Sequence, residues 1–210
     1  MNRKRKDMKY TDHLNLLPSQ SSGKEIEASA EIDFDTAAAA ISFYGRARDR
    51  LLNVNNWKNI AGKLSAEFQL FDASGTELQR AAKAGDFLRI NIPGPGNNAG
   101  DGFDWAQVEN VEELNEEHLQ CTGFRVRPSQ NPTNDKEEIA HFYSEESTGN
   151  FIVGREHNKV YAWIIDRNTA PNKEADSVTD KLRDIAVGIG AVGVFSKAQW
   201  QTLADGFLKE

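Results

Sequence analysis

The stretch Gly85–Val111, GDFLRINIPGPGNNAGDGFDWAQVENV, decides how the rest of the chain is read. In its first run Leu88, Ile90 and Ile92 alternate with Phe87, Arg89 and Asn91. In its second run Phe103, Trp105 and Gln107 alternate with Asp104, Ala106 and Val108. Period-two alternation sends successive side chains to opposite faces and marks a half-buried strand. The interval Pro93–Gly102 is rich in Gly, Pro and Asn, so the stretch predicts a β-hairpin with a long tip.

Working outward, Lys24–Phe34 alternates apolar Ile26, Ala28, Ala30, Ile32 and Phe34 with Glu25, Glu27, Ser29, Glu31 and Asp33, a strand with one wet face. Asp35 or Thr36 then caps a helix in which Ala40, Phe43, Tyr44, Ala47 and Leu51 recur at three- and four-residue steps. Trp57 and Ile60 add a short helical turn. Leu64–Phe71, Leu119–Arg127, Glu138–Ser144, Phe151–Glu156 and Val160–Arg167 read as further strands, the last apolar on both faces and central or lining an enclosed space. Thr76–Lys83 fits either a return strand or a helical turn, and Glu112–Glu117 an acidic connection. Val178, Leu182, Ile185, Ile189 and Val192 form the stripe of a long C-terminal helix. Ser196 with Gln199 fits a capping box for a last helix ending near Leu208.

The order is strand, helices, about six to seven antiparallel strands, then helices. Hairpin-length connections with helices segregated at the ends predict an α+β domain over residues 24–210. Residues 1–23 read as a disordered tail, with Arg3, Lys4, Arg5, Lys6 and Lys9 clustered ahead of a turn-rich Pro18–Gly23.

Bulk composition narrows the function classes. Across 210 residues the formal net charge is −7, which argues against a broad nucleic-acid surface. The single cysteine, Cys121, forbids an intrachain disulfide and suits a reducing compartment. No apolar run is long enough for a membrane span, and no apolar stretch follows the basic N-terminus to make a secretory signal. The expected location is the cytoplasm.

In element order the chain resembles the START/Bet v1-like helix-grip superfamily. The likeness lies in the strand Ile26–Phe34, the helix Thr36–Leu52 running into Asn56-Trp57, the strand series and the amphipathic C-terminus, and it covers most of residues 24–193. It implies a curved antiparallel sheet gripping a long C-terminal helix, with an apolar cavity between them. Members bind lipids, sterols, polyketides or other hydrophobic molecules, and some catalyse reactions on them. No family active-site motif is matched, so no catalytic residue is carried over. The extra Ser196–Leu208 helix and the Pro93–Gly102 tip depart from the pattern and leave room for another α+β fold, such as a lipocalin-like barrel with flanking helices.

Arg89, Asn91, Gln107, Glu109, Arg125 and Arg127 repeat on like phases of neighbouring strands. Facing inward, Arg89 and Arg125 would fix an anionic head group while Phe87, Phe103, Trp105 and Trp163 hold its apolar part. Facing outward, they would form ion pairs across a solvated sheet, the commoner arrangement. His141, Arg155, Glu156 and His157 make the one grouping fit for acid–base work, provided that the fold brings them together. The hairpin tip lacks the Gly-Lys-Ser/Thr and following helix of a phosphate loop. Its Asn97, Asn98, Asp101 and Asp104 do not have calcium-loop spacing. The histidines and Cys121 show no metal-ligand spacing, so no metal or cofactor is expected. Three functions follow: a module binding a small hydrophobic or amphipathic molecule between sheet and C-terminal helix, an enzyme acting on such a molecule there, or a filled-core protein-interaction domain.

Overall fold

A computed structural model of the chain describes residues 11–62, 66–92, 98–172 and 190–209, with residues 190–195 described by their backbone alone. Strands β1 (Lys24–Asp33), β2 (Glu67–Phe71), β3 (Phe87–Asn91), β4 (Asp104–Asn115), β5 (Leu119–Pro128), β6 (Thr148–Glu156) and β7 (Lys159–Thr169) make one seven-stranded sheet. Every pairing is antiparallel, in the order β1-β7-β6-β5-β4-β3-β2. Helix α1 (Ala37–Leu52), a 3-10 turn (Val54–Asn56) and α2 (Trp57–Ala61) lead from one edge strand to the other across one face of the sheet. Helix α3 (Gly190–Phe207) packs on that face too, against β1, β7 and α2. This is an α+β fold of helix-grip type. No helix among the described residues is long and apolar enough to cross a membrane.

Local chemistry explains the helices. Thr36 is extended and its hydroxyl accepts the Ala39 N–H at 3.2 Å, satisfying one of the orphan donors at the start of α1. At the far end the buried Trp57 indole donates to the carbonyls of Leu51 (3.1 Å) and Arg50 (3.2 Å), which lie in the last turn, where carbonyls lack helical partners. The same indole is the hub of the core. Its ring centroid lies 4.8 Å from Phe151, 5.1 Å from Phe68, 5.6 Å from Phe207 and 5.8 Å from Phe124. Aromatic side chains from α2, α3 and three strands thus fill the space between sheet and helices at this point.

Several elements differ from their expected form. Glu112–Asn115 continues β4 and does not form a connection, because Val111 pairs with Phe124 on the inner face and Leu114 with Cys121 on the outer. Its glutamates cost little in a strand whose end reaches solvent. Glu138–Ser144 is irregular, bridging from Tyr143 to Pro171 and tied to Trp105 and Ser129 through the backbone of Ala140. Thr76–Lys83 is neither strand nor helix and runs beside β2 through the bridge from Glu77 to Phe71 and the Leu78 N–H to the Leu70 carbonyl at 2.7 Å. Helix α3 runs straight through Ser196, so that residue caps nothing. Its hydroxyl lies 3.4 Å from Tyr143 Oη, and Gln199 accepts the Ala66 N–H at 3.1 Å. Both polar side chains of the supposed capping box serve tertiary contacts. The basic cluster Arg3–Lys9, the tip residues 93–97 and the stripe from Val178 to Ile189 lie outside the described residues.

Residues 12–23 do not form a free tail. The Asp12 carboxylate accepts the N–H groups of Leu14, Leu16 and Leu17 and shapes a tight turn. That turn lays Leu14, Leu16 and Leu17 on the outer face of the sheet, over Cys121, Ile152, Tyr161 and Trp163. The Asn168 side chain then fastens the segment through Ser21 N (2.8 Å), Ser22 N (3.1 Å) and Ser19 O (3.2 Å). Leucines spaced for contact and polar groups aimed at the end of β7 outweigh the turn-rich composition.

Candidate functional site

Strand pairing fixes which side chains share a face. Leu88, Ile90, Ala106, Val108, Phe124, Val126, Phe151, Val153, Ala162 and Ile164 belong to the core beneath the helices. The candidate residues Phe87, Arg89, Trp105, Arg125 and Trp163 take the opposite phase and face away from it. Phe103, just before β4, packs with them. Together they do not line the space between sheet and C-terminal helix. Arg89 lies over the rings of Phe103 (4.4 Å) and Phe71 (4.7 Å), and bonds Gln69 at 3.1 Å through Nε. Trp105 is buried against Phe71, Ala99 and Ala140, and Trp163 stacks on Tyr161 at 4.2 Å.

Arg125 and Arg127 both donate to Glu109 at 2.5 Å, and Arg125 also reaches Asn110 Oδ1 (3.2 Å) and Leu16 O (3.1 Å). A β-bulge between Val108 and Asn110 makes this possible, since it turns two successive acceptors to one face. Burial would lift the Glu109 carboxyl, but the guanidiniums of Arg127 and Arg125 outweigh it and hold it below its ordinary value. These charges satisfy one another across the outer face, the second of the two arrangements the pattern allowed.

The inner face carries a different polar group. Val160, Ala162, Ile164 and Asp166 share one phase of β7, so an acid stands where the core side chain should continue. Asp166 is 3% exposed. Its Oδ2 accepts the Trp200 indole N–H from α3 at 2.7 Å, while Oδ1, equally buried, has no hydrogen-bond partner among the described residues. Burial pushes this carboxyl up to about 7, with the Trp200 N–H as the opposing influence. Beside it on β6 stands Gly149, paired directly with Asp166. A methyl group built on Gly149 would sit 3.5 Å from Asp166 Oδ1, 3.3 Å from the Phe151 ring and 3.2 Å from Val126. The absent side chain therefore lets Val126 and Phe151 close in beside the carboxyl, where a methyl group would crowd both. Tyr143 flanks the group, its hydroxyl near Ser196 and pushed up to about 12 by burial.

Such a carboxyl is costly. A buried polar atom without a partner forfeits its hydration, and a buried charge without a counter-ion forfeits more. Groups of this kind concentrate at sites of chemistry or binding. The sequence signal for it was an acid on the apolar phase of β7, masked because that strand reads as apolar on both faces.

The histidine grouping does not assemble. His141 lies beside the bridge to Pro171 beyond the end of β7, whereas Arg155, Glu156 and His157 surround the turn at its start. Burial lowers His141 to about 3, so it stays neutral, with Nδ1 accepting the Tyr143 N–H at 2.9 Å. His157 takes a positive φ of 52° in its tight turn and stacks on His118 at 5.2 Å. Cys121 is buried and pushed up to about 12, an inert thiol beneath the N-terminal segment. Among the described residues no cluster of His, Cys, Asp and Glu is arranged to hold a metal.

No family model matches this chain, and no curated protein does. Solved structures of similar arrangement include a hypothetical protein from Helicobacter pylori, at 10% identity over 88% of each chain with a TM-score of 0.49. Norcoclaurine synthase from Thalictrum flavum matches at 10% identity over 88% of this chain and 96% of its own, with a TM-score of 0.35. Major latex-like protein 151 from Panax ginseng matches at 13% identity over 83% and 97%, also with a TM-score of 0.35. The last two are Bet v1-like.

Proposed function

We propose that the chain binds a small, largely apolar molecule between its sheet and its C-terminal helix, with Asp166 as the polar anchor. The observation that carries this is the buried Asp166 carboxyl on the helix-covered face of the sheet, whose Oδ1 has no hydrogen-bond partner among the described residues. Apolar walls with one or two convergent polar groups are the usual make-up of a small-molecule site: the walls supply affinity and the polar group fixes orientation. The walls here are Val126, Phe151 and Trp200, and Gly149 itself is only half-buried. The six candidates on the outer face play no part in this reading. The test is mass spectrometry of an organic extract of the natively purified protein against a mock purification. A stoichiometric co-purified molecule is expected. An empty extract, together with failure to bind an environment-sensitive apolar dye, would overturn the proposal.

A further inference from the structure

We propose that the outer face of the sheet between β5 and β7 is a docking groove for a protein segment with an acid-capped, leucine-bearing turn, and that residues 12–22 are the chain's own copy of that ligand, which keeps the groove closed. The groove is separate from the inner-face site and does not depend on it. The first ground is how the segment is attached. The Asp12 carboxylate accepts the N–H groups of Leu14 (3.3 Å), Leu16 (3.1 Å) and Leu17 (2.8 Å), so the turn is shaped by its own residues. Among the described residues the segment pairs no backbone group with the backbone of the sheet. Side chains hold it: Arg125 donates to Leu16 O at 3.1 Å, and Asn168 clamps Ser19, Ser21 and Ser22. Its leucines join a cluster of their own, apart from the core under the helices. The segment is thus seated as a ligand is, and local opening releases it without undoing a strand or the main core. The second ground is what it sits on. At Gly123 the sheet meets Leu14 directly, since a methyl group there would stand 3.0 Å from Leu14 Cδ1. Tyr161 and Trp163 stack at 4.2 Å beside Cys121 and Ile152, and Arg125 and Arg167 lie further along the same face. Aromatic residues and arginines around an apolar centre are the part of a protein interface that holds most of its binding energy. The third ground is charge. Burial lowers Arg167 and the Asp12 carboxylate opposes it, so an acid at the head of the turn suits a cationic border. A ligand tethered in cis competes at an effective concentration of about a millimolar, and a partner binds well only once it is displaced.

The experiment titrates a fluorescently labelled peptide of residues 11–22, TDHLNLLPSQSS, with the full chain and follows its anisotropy. The unaltered chain should bind it weakly, because its own segment fills the groove. The full chain carrying Leu14→Asp and Leu16→Asp, whose segment no longer competes, should bind it at least about tenfold tighter. A peptide with Asp12→Ala, which loses the turn, should bind that variant at least about tenfold more weakly. Binding in the groove should also slow the labelling of Cys121 in the variant by a disulfide reagent, which separates docking from adhesion elsewhere. The proposal is overturned if the variant does not bind the peptide, if it binds no tighter than the unaltered chain, or if bound peptide leaves Cys121 labelling unchanged. Should the double variant not fold, Asn168→Gly decides alone. It removes the clamp outside the groove and tolerates the positive φ of 55° at that position. It should bind the peptide tighter than the unaltered chain, and an equal affinity overturns the proposal.

Discussion

Replacing Asp166 with asparagine should change stability in a way that depends on pH, and the size of the change follows from burial. In the folded chain this carboxyl titrates near 7, against an ordinary value of 3.8. The folded state therefore holds the proton more tightly than the unfolded one. Below about pH 4 both states are protonated and the group contributes nothing to the balance. As the pH rises from about 4 through about 7 the unfolded state ionises first, and native stability falls. A difference of about three units at roughly 1.4 kcal/mol each gives a penalty of about 4 kcal/mol above pH 7. Of this, about 2–3 kcal/mol develops between pH 5 and pH 8. Asparagine keeps the shape and an acceptor for the Trp200 indole, and carries no charge. Urea denaturation of both proteins at pH 5, 6, 7 and 8, followed by tryptophan fluorescence, measures the difference directly, and the other titrating groups cancel between the two. Asp166→Asn should gain on the native protein steadily as the pH rises. A difference that stays constant from pH 5 to pH 8 would show that the carboxyl is hydrated or paired in the folded state, and the account of Asp166 would fail.

Trp57→Ala removes the ring that touches Phe68, Phe124, Phe151 and Phe207, and should cost about 3–5 kcal/mol in chemical denaturation. Glu109→Gln breaks the shared pair with Arg125 and Arg127 and should cost about 1–3 kcal/mol near pH 7. Because the folded carboxyl sits below its ordinary 4.5, its contribution is present above that value and is lost as the pH falls through the lower, folded value, so the variant and the native protein should converge in acid. Leu16→Ala loosens the segment that covers Cys121, and labelling of that thiol by a disulfide reagent should quicken at least about tenfold through local opening. Gly154→Ala would drive a methyl group to within 2.6 Å of the Tyr161 ring laid over that glycine, and thermal unfolding should show a loss above about 2 kcal/mol.

Much of the fold was legible because the patterns that carry it are local. Ile26–Phe34, Leu88–Ile90 and Val160–Ile164 state their strands by alternation, and Ala40–Leu51 states its helix by spacing, since each needs only a few residues to settle which face is buried. What escaped depends on partners far along the chain. The glutamates of 112–115 are in a strand because Thr122–Gly123 lies opposite, and Leu14–Leu17 are anchored because Ile152 and Tyr161 leave an apolar outer face to cover. The site escaped for a related reason. The conspicuous arginines and aromatics of the central hairpin form a self-satisfied outer surface. The telling residue is one acid whose oddity appears only when Val160, Ala162 and Ile164 are known to point under the helices. No property of Asp166 taken singly distinguishes it from the chain's other acids.

The bulge at Glu109 gives β4 two reading frames. Up to Val108 the even-numbered residues look inward, and from Val111 the odd-numbered ones do. A substitution at Glu109 or Asn110 is therefore a local event, felt by the arginines beside it. A deletion of either residue is not. It would merge the frames, so that Val111 and Leu114 would have to exchange faces or the whole distal arm of the hairpin slide against β5 as far as the turn at 116–119. The ladder that joins β4 to β5 records a count of residues as well as their kinds. A one-residue gap at this position is an alteration that no choice of side chain elsewhere in the strand can offset.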